Sequence, residues 1–397
     1  MNLSGKHILI IVENLPVPLD RRVWQEARHL KSLGADVSVI CPKMKGYVKS
    51  LEMLEGIDIY RHPLPVEASG AIGYLIEYST AMFFEFFIAL KLFFRKRFHV
   101  IQGCSPPDLI FLVALPFKLF GIKYVFDHHD LSPELFQTKF KGNKWLHKAL
   151  LFVEKMTFRT ANYSIATNES FKEIAIQRGK MLPENIEIVR SGPDLRRFKI
   201  IPPNEQYKNG KKFLIGYLGI IAEQDGLDLL MKIAAIVLKE RNDIHFAIVG
   251  DGTELPNIRK MAIELGISEN IDFYGMVSDD SLLNAILNTC DVCVNPDIPN
   301  ELNNLLTTNK VMEYMAVKKP VVQFDLKEGK FSAMEASLYA KTNDLNDFAE
   351  KISLLLDNPE KRKEMGEFGY NRVITQLSWE HEKKNLENLY SRVFAEN

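Results

Sequence analysis

Lys310 and Glu313 stand three positions apart in Asn309-Lys310-Val311-Met312-Glu313-Tyr314-Met315-Ala316, whose apolar spacing predicts a short helix ahead of a strand over 320–324. That spacing puts both charges on one helix face. A helix entered through Thr307, Thr308 and Asn309 offers unpaired backbone N–H groups and the positive end of its dipole beside Lys310, which suits a phosphate. Glu313, one turn on, is placed to accept hydrogen bonds from a ribose diol. The plain alternative is a surface ion pair worth roughly 0.3 kcal/mol.

Three further groups carry chemistry. Asp127-His128-His129-Asp130 follows an apolar run and suits a metal site, an acid–base unit or a satisfied loop network. No second His/Asp cluster stands ready to complete a metal site. Val249-Gly250-Asp251-Gly252 ends another apolar run, where small residues allow close approach of a ligand or simply a tight turn. Glu13, Asp20, Arg21 and Arg22 follow the first strand. They suit the acceptor or phosphate side of a site, or equally a helix start with Asp20 as cap and solvated arginines.

The elements that must position these residues form a repeating pattern. Apolar runs at 7–12, 37–41, 123–126, 164–167 and 186–189 alternate with helical segments such as 22–33. Continuous apolar strands imply a parallel sheet covered on both faces. The polar Pro/Gly stretch 201–212 reads as a linker, after which runs at 213–218, 245–249, 271–274, 292–294 and 320–324 restart the pattern. The expected fold is α/β, two doubly wound Rossmann-like domains facing a central cleft. The first spans 1–200 and the second 213–377, followed by a helical segment over 378–397. Open α/β sheets bind ligands at strand C-termini, where the residues above fall.

Of 397 residues, 46% are hydrophobic and 25% charged, which suits two globular domains. The net charge of −1 hides 28 basic against 20 acidic residues up to position 200, and 22 against 31 beyond it. A basic first half suits an anionic membrane surface or a phosphate-bearing acceptor; without zinc-finger spacing or an aromatic RNA-binding signature, no nucleic acid is expected. Cys41, Cys104, Cys290 and Cys293 are too few for a disulfide framework, and Cys290-x-x-Cys293 reads as two core thiols. A strand from residue 7 leaves no room for a secretory signal, so the expected place is the cytosol or the inner face of the cytoplasmic membrane. Residues 72–98 carry Ile72, Leu75, Ile76, Phe83, Phe86, Phe87, Phe93 and Phe94 at helical spacing and end in Arg95-Lys96-Arg97. They suit a peripheral membrane helix or a core-packing one, and are too often interrupted by charge for a span.

The run from Lys310 through Glu313-Tyr314-Met315 to Lys319-Pro320-Val321-Val322 resembles the donor-binding signature of the family 4 retaining glycosyltransferases. So, in order, do Pro16 to Glu26, Asp127 to Glu134, Gly216 to Gly219, Val249 to Gly252, and Leu377-Ser378-Trp379-Glu380. The resemblance implies the GT-B fold, with 1–200 binding acceptor, 213–377 binding nucleotide-sugar and the 378–397 helix returning to the first domain, and transfer of a sugar from a nucleotide-sugar donor to an acceptor hydroxyl with retention. It implies no metal and no cofactor, the nucleotide-sugar being a co-substrate. It gives Glu313 the ribose, Lys310 the phosphates and His129, or else His128, the donor sugar; Gly219, Gly250, Asp251, Gly252, Val277, Thr308 and Asn309 line the donor, with Glu13, Arg22 and Asp130 on the acceptor or phosphate side. The acceptor is expected to be a saccharide or lipid-linked saccharide of cell-surface polysaccharide. Two departures stand out. Leu305 occupies the place of the family's first glutamate, with Glu301 nearby, and Ile220 and Asp225 stand where the family places an arginine and a lysine to neutralise the diphosphate. Lys310, the helix start and Arg22 are expected to share that task. An epimerase of the same fold and an inert nucleotide-sugar-binding subunit are the alternatives.

Overall fold

A run such as His7-Ile-Leu-Ile-Ile-Val12 has no polar face and is buried along its whole length, which only a sheet covered on both sides provides. The computed structural model describes residues 1–64, 70–139 and 144–395, and divides them into two units. Unit 1 comprises Met1–Arg190 and residues from Lys383 on; unit 2 is Ser191–Glu382.

Unit 1 runs β1 (His7–Val12), α1 (Arg21–Ser32), β2 (Asp36–Pro42), β3 (Leu51–Leu54), β4 (Ile57–His62), α2 (Gly70–Arg95), β5 (Val100–Cys104), α3 (Phe111–Lys118), β6 (Lys123–His128), α4 (Ser132–Lys139), α5 (Lys144–Thr160), β7 (Tyr163–Ala166), α6 (Glu169–Gln177) and β8 (Ile186–Ile188). Its sheet has the order β3-β4-β2-β1-β5-β6-β7-β8, parallel except where β3 folds back on β4. Helix α1 starts where Asp20 accepts a hydrogen bond from the Val23 N–H at 3.0 Å, an N-cap that satisfies an orphan donor.

Unit 2 runs β9 (Phe213–Leu218), α7 (Leu227–Glu240), β10 (Ile244–Val249), α8 (Leu255–Glu264), β11 (Ile271–Gly275), α9 (Asp280–Thr289), β12 (Val292–Asn295), α10 (Glu301–Leu305), α11 (Asn309–Ala316), β13 (Val321–Phe324), α12 (Lys327–Ala333), β14 (Ser337–Ala340), α13 (Leu345–Asp357) and α14 (Pro359–Arg372). The sheet is parallel throughout, in the order β11-β10-β9-β12-β13-β14. Cys290 and Cys293 are buried free thiols in the core beneath α11.

Helix α15 (Trp379–Ala395) starts in unit 2 and from Lys383 belongs to unit 1. Leu386, Leu389, Tyr390 and Val393 form its buried stripe at helical spacing. Glu396 and Asn397, the end of the helix expected over 378–397, lie outside the described residues.

The stretch expected as a linker belongs to unit 2. The Ile201 N–H donates to Asn288 Oδ1 at 3.1 Å and the Asn204 N–H to Thr289 Oγ1 at 2.8 Å, so side chains of α9 satisfy the backbone that polar composition had marked as solvated.

Helix α2 buries Ala81, Glu85, Ala89 and Leu92 while Phe83, Phe87 and Phe94 face solvent. Exposed Leu115, Leu119 and Phe120 of α3 and its following turn continue that apolar face, joined through Phe93–Phe117 and Phe93–Phe120 ring contacts at 5.4 Å. Among the described residues no helix is long and apolar enough to cross a membrane. The side chain of Ile72 lies outside the described residues.

Candidate functional site

In unit 2, β9, β10 and β12 end in turns that meet with almost no side chain between them. Gly219 and Gly250 adopt φ of +156° and +148°, and a Cβ on Gly250 would lie 1.8 Å from the Gly219 carbonyl oxygen. Only glycine tolerates both demands. Gly252 is as confined, its Cβ position lying 2.3 Å from the Ile221 carbonyl oxygen. Asp251 points outward and accepts from the Gly252 N–H at 2.8 Å, shaping its own turn. Val277 is half-buried beyond β11, packed on the α11 core.

Helix α11 is fixed beside these turns by Tyr314, whose hydroxyl accepts from the Leu218 N–H at 2.7 Å. That anchor brings the Lys310 side chain to Gly219: a Cβ on Gly219 would stand 3.1 Å from Lys310 Cε. Thr308 is the N-cap residue and Asn309 the exposed first residue of the helix. Glu313 lies on the same helix, 3.9 Å from Arg197 Nη1.

Lys310 is 7% exposed and donates to Asp297 Oδ1 at 2.7 Å; Asp225 Oδ1 lies 3.6 Å away and the Tyr217 ring centroid 5.0 Å away. Thr308 Oγ1 donates to the other oxygen of Asp297 at 3.0 Å. Asp225 also accepts from the Ala222 N–H at 3.1 Å, tying the loop after β9 to the lysine. Burial pushes the Asp225 carboxyl up, with Lys310 pulling it down and Asp297 adding to the rise. The residue at the place of a family cation is therefore a carboxyl group facing Lys310. Glu301, at the start of α10, is exposed.

In unit 1 the sites converge on the C-terminal ends of β1, β5 and β6. Alternation along β6 sends His128 and its neighbours to opposite faces. The His128 ring packs on Phe126, Phe158 and Phe171 with centroids 5.1, 5.3 and 4.8 Å away, and burial lowers it to about 3. It is a core histidine. His129, 13% exposed, joins a charged cluster instead.

Arg22 is the hub of that cluster. Its Nε–H donates to His129 Nε2 at 2.8 Å, Nη1 to the Val189 carbonyl at 2.7 Å, and Nη2 to Asp127 Oδ1 at 3.0 Å, with Glu26 Oε1 at 3.2 Å. Arg22 is thus a buried cation committed to this cluster rather than a solvated arginine. Asp127 Oδ2 lies 2.9 Å from His129 Nε2 and accepts from Gln102 Nε2 at 2.8 Å. Burial pushes Asp127 up, but Arg22 and His129 outweigh it and hold the carboxyl well below the usual range. Burial pulls His129 down, and Asp127 more than restores it, so its proton is held more firmly than usual.

Cys104, Asp127 and His129 place ligand atoms within 4.8 Å of one another, the metal-like group found among the described residues. The donor set does not fit a cation. The Arg22 guanidinium already binds Asp127 and His129, and burial raises the Cys104 thiol well above its ordinary value.

Ser105 Oγ accepts from the His129 N–H at 3.0 Å and the Asp130 N–H at 3.5 Å, shaping the turn that presents half-buried Asp130. Glu13 ends up buried at the end of β1 rather than open to an acceptor, with burial, then Glu85 and Glu77, pushing it up to about 9. A neutral Glu13 can donate a hydrogen bond but offers a ligand no charge.

Sequence reasoning missed Asp297, Glu26, Gln102 and Tyr390. Glu26 had a signal, its i,i+4 spacing from Arg22. The others come together only through the fold.

The comparisons agree with this architecture. Residues 19–197 match the model described as Glycosyltransferase Family 4, and residues 212–358 the one described as Glycosyl transferases group 1. The 2-deoxystreptamine glucosyltransferase of Streptomyces kanamyceticus is 23% identical over 356 residues, covering 85% of this chain and 89% of that protein. The poly(ribitol-phosphate) alpha-N-acetylglucosaminyltransferase of Staphylococcus aureus is 24% identical over 188 residues, 45% of this chain and only 35% of the relative's own length. Among solved structures, sucrose-phosphate synthase from Thermosynechococcus elongatus matches with TM-score 0.82 at 18% identity, covering 99% of this chain and all of that one. WaaG, a glycosyltransferase involved in lipopolysaccharide biosynthesis, matches with TM-score 0.73 at 15% identity over 96% and 99% of the two chains. Two successive matches, one to each half of a single enzyme family, on two predominantly parallel Rossmann-like sheets make this chain a member of the family 4 glycosyltransferases with the GT-B fold.

Proposed function

We propose that the protein moves a sugar from a nucleotide-sugar donor to a hydroxyl of a saccharide or lipid-linked saccharide in cell-surface polysaccharide assembly, retaining the anomeric configuration and using no metal ion. The observation that carries this reading is Lys310, buried at the start of α11 beside the close-packed glycine turns after β9 and β10 and held there by Asp297 and Asp225. The names of relatives that glycosylate poly(ribitol-phosphate) or take part in lipopolysaccharide biosynthesis support the choice of acceptor.

In this reading Glu313 accepts from the ribose diol and Val277 lies along the base. Lys310 keeps its short bond to Asp297 and exchanges the longer contact to Asp225 for a donor phosphate, helped by the N–H groups at Thr308 and Asn309. His129 contacts the donor sugar. The diphosphate leaves from the face the acceptor enters, and one of its oxygens takes the acceptor proton, so no protein nucleophile is needed. The main catalytic term is then stabilisation of the departing charge.

A panel of UDP-, GDP-, ADP- and dTDP-sugars, incubated with the protein and a bacterial lipid extract, tests the reading. Acceptor-dependent release of one nucleoside diphosphate is expected. Interconversion of nucleotide sugars without release would make the protein an epimerase, and binding without turnover across the panel an inert subunit.

The reading extends to peripheral membrane contact through residues 72–98. Phe94 and Leu119 are 80% and 87% exposed, and Arg95, Lys96 and Arg97 follow the phenylalanines, a pairing that suits an anionic bilayer. Replacing Phe83, Phe87 and Phe94 together by serine should cut co-flotation with phosphatidylglycerol vesicles about tenfold or more. Unchanged flotation would remove this surface from consideration.

A further inference from the structure

Glu26 is fully buried on α1, yet it sits among polar groups from every element packed on it. Its Oε2 accepts from Gln102 Nε2 at 2.6 Å, and the same amide nitrogen serves Asp127 Oδ2 at 2.8 Å. Tyr390 of α15 donates to Gln102 Oε1 at 2.6 Å, which fixes the amide so that its N–H groups face the two carboxylates. The titratable and charged groups facing Glu26 are Arg22 on its own helix, Asp127 and His129 from β6 and its exit, Cys104 from β5 and Tyr390 from α15, with Asp20 beyond Cys104.

His129 Nε2 presents the complementary problem. It lies 2.8 Å from the Arg22 Nε–H and 2.9 Å from Asp127 Oδ2. Deprotonated, it accepts from Arg22; protonated, it donates to Asp127. One nitrogen cannot do both.

Counting charge settles which states a buried cluster tolerates. With Arg22 cationic and Asp127 ionised, a neutral Glu26 goes with a neutral His129, and an ionised Glu26 with a protonated His129. Either arrangement leaves no net charge; two carboxylates against one guanidinium would bury an unpaired charge at a cost of several kcal/mol.

We propose that Glu26 and His129 share one proton, making Glu26 the positioning residue that decides whether His129 offers a lone pair to Arg22 or an N–H to Asp127. The proton leaves the Glu26 carboxyl and arrives at His129 Nε2, relayed by the Asp127 carboxylate between them, and the cluster's net charge does not change. Burial and then Asp127 push Glu26 up to about 8, and Asp127 also holds the His129 proton more firmly than usual, so both shifts favour keeping a proton within the cluster. Resting on the glycosyltransferase reading, this lets His129 become a cation as the departing diphosphate gathers charge, without drawing a proton from solvent.

Histidine-labelled full-length protein, followed by NMR between about pH 5 and 10, tests it, with His129→Asn assigning the signal. The parent should show His129 titrating in two coupled steps. Glu26→Gln, which copies the neutral acid and cannot ionise, should give one step with its midpoint lower by about one pH unit. Glu26→Asp should restore the two-step course. A single-site curve in the parent overturns the proposal whatever the variants do, as does a Glu26→Gln curve superimposable on the parent's. Because no donor is present, a shifted His129 in a protein that turns over no nucleotide-sugar would leave the shared proton standing and refute the transferase reading instead.

Discussion

Lys310→Ala is expected to lower turnover by about a hundredfold or more, the usual cost of removing a preorganised group that stabilises a leaving charge. The structure gives the variant a second effect. Asp297 and Asp225 would lose their shared cation, and a buried carboxylate left alone costs about 3–5 kcal/mol. The two effects separate by experiment. Lys310→Ala combined with Asp297→Asn removes the stranded charge, so it should recover most of the melting temperature while leaving turnover low. Asp225→Asn by itself should strengthen nucleoside diphosphate binding roughly tenfold, since it withdraws the anion that competes with a phosphate for Lys310. Activity of Lys310→Ala within a few-fold of the parent, at equal folded fraction, would falsify the assignment of Lys310 to the donor phosphates.

Unit 1 is expected to melt at a markedly lower temperature at pH 9 than at pH 6, by on the order of 10 °C. Its buried acids point the same way: burial pushes Glu13 to about 9, Glu26, Glu85 and Glu154 to about 8, and Asp108 to about 7. The unfolded chain gives up these protons near its ordinary carboxyl values, whereas the folded unit keeps them until pH 7 to 9. Over that window the folded state binds more protons, so stability falls as pH rises, by up to about 1.4 kcal/mol per pH unit for each group. Asp127 works in the opposite direction, its contribution being complete above its ordinary value and lost only in acid. Calorimetry from pH 6 to pH 9 on the parent and on Glu85→Gln reads the effect; a flat or rising melting temperature in the parent would show that water relieves these carboxyls in the native state.

Five strands of unit 2 were legible as mostly apolar runs, and β9 has the bounds its residues imply, whereas β14, Ser337–Ala340, opens on a serine and is half-buried in its middle, so it gave no such run. The β3–β4 hairpin was not. Leu51-Glu52-Met53-Leu54 exposes Leu51 and Met53 at the sheet edge, so its composition marks no buried face. Strand β5 was hidden by Gln102 and Gly103, residues that serve the cluster around Arg22 and the close approach of Ile110 and Tyr124. In the same way, the helix carrying Lys310 and Glu313 was readable from local spacing, while the lysine's partners were not. Asp225 was visible only as a cation gone missing, because its contact with Lys310 spans eighty-five residues of chain. His128 closes β6 with its ring packed into the core and His129 follows the strand into the charged cluster, a difference fixed by neighbours distant in sequence.

The division of α15 between the units also sets an order of assembly. Unit 2 is one continuous stretch, Ser191–Glu382, and can close as soon as it has left the ribosome. Unit 1, although most of it is synthesised first, lacks the helix that carries Tyr390 to Gln102 across 288 residues until the segment after Lys383 emerges. During synthesis its nascent sheet therefore waits with an uncovered apolar groove, and with the cluster around Arg22 unfinished, while the later unit folds. The half of the enzyme made first is the half completed last, and a chain broken off before residue 383 would yield a finished second unit attached to an unfinished first.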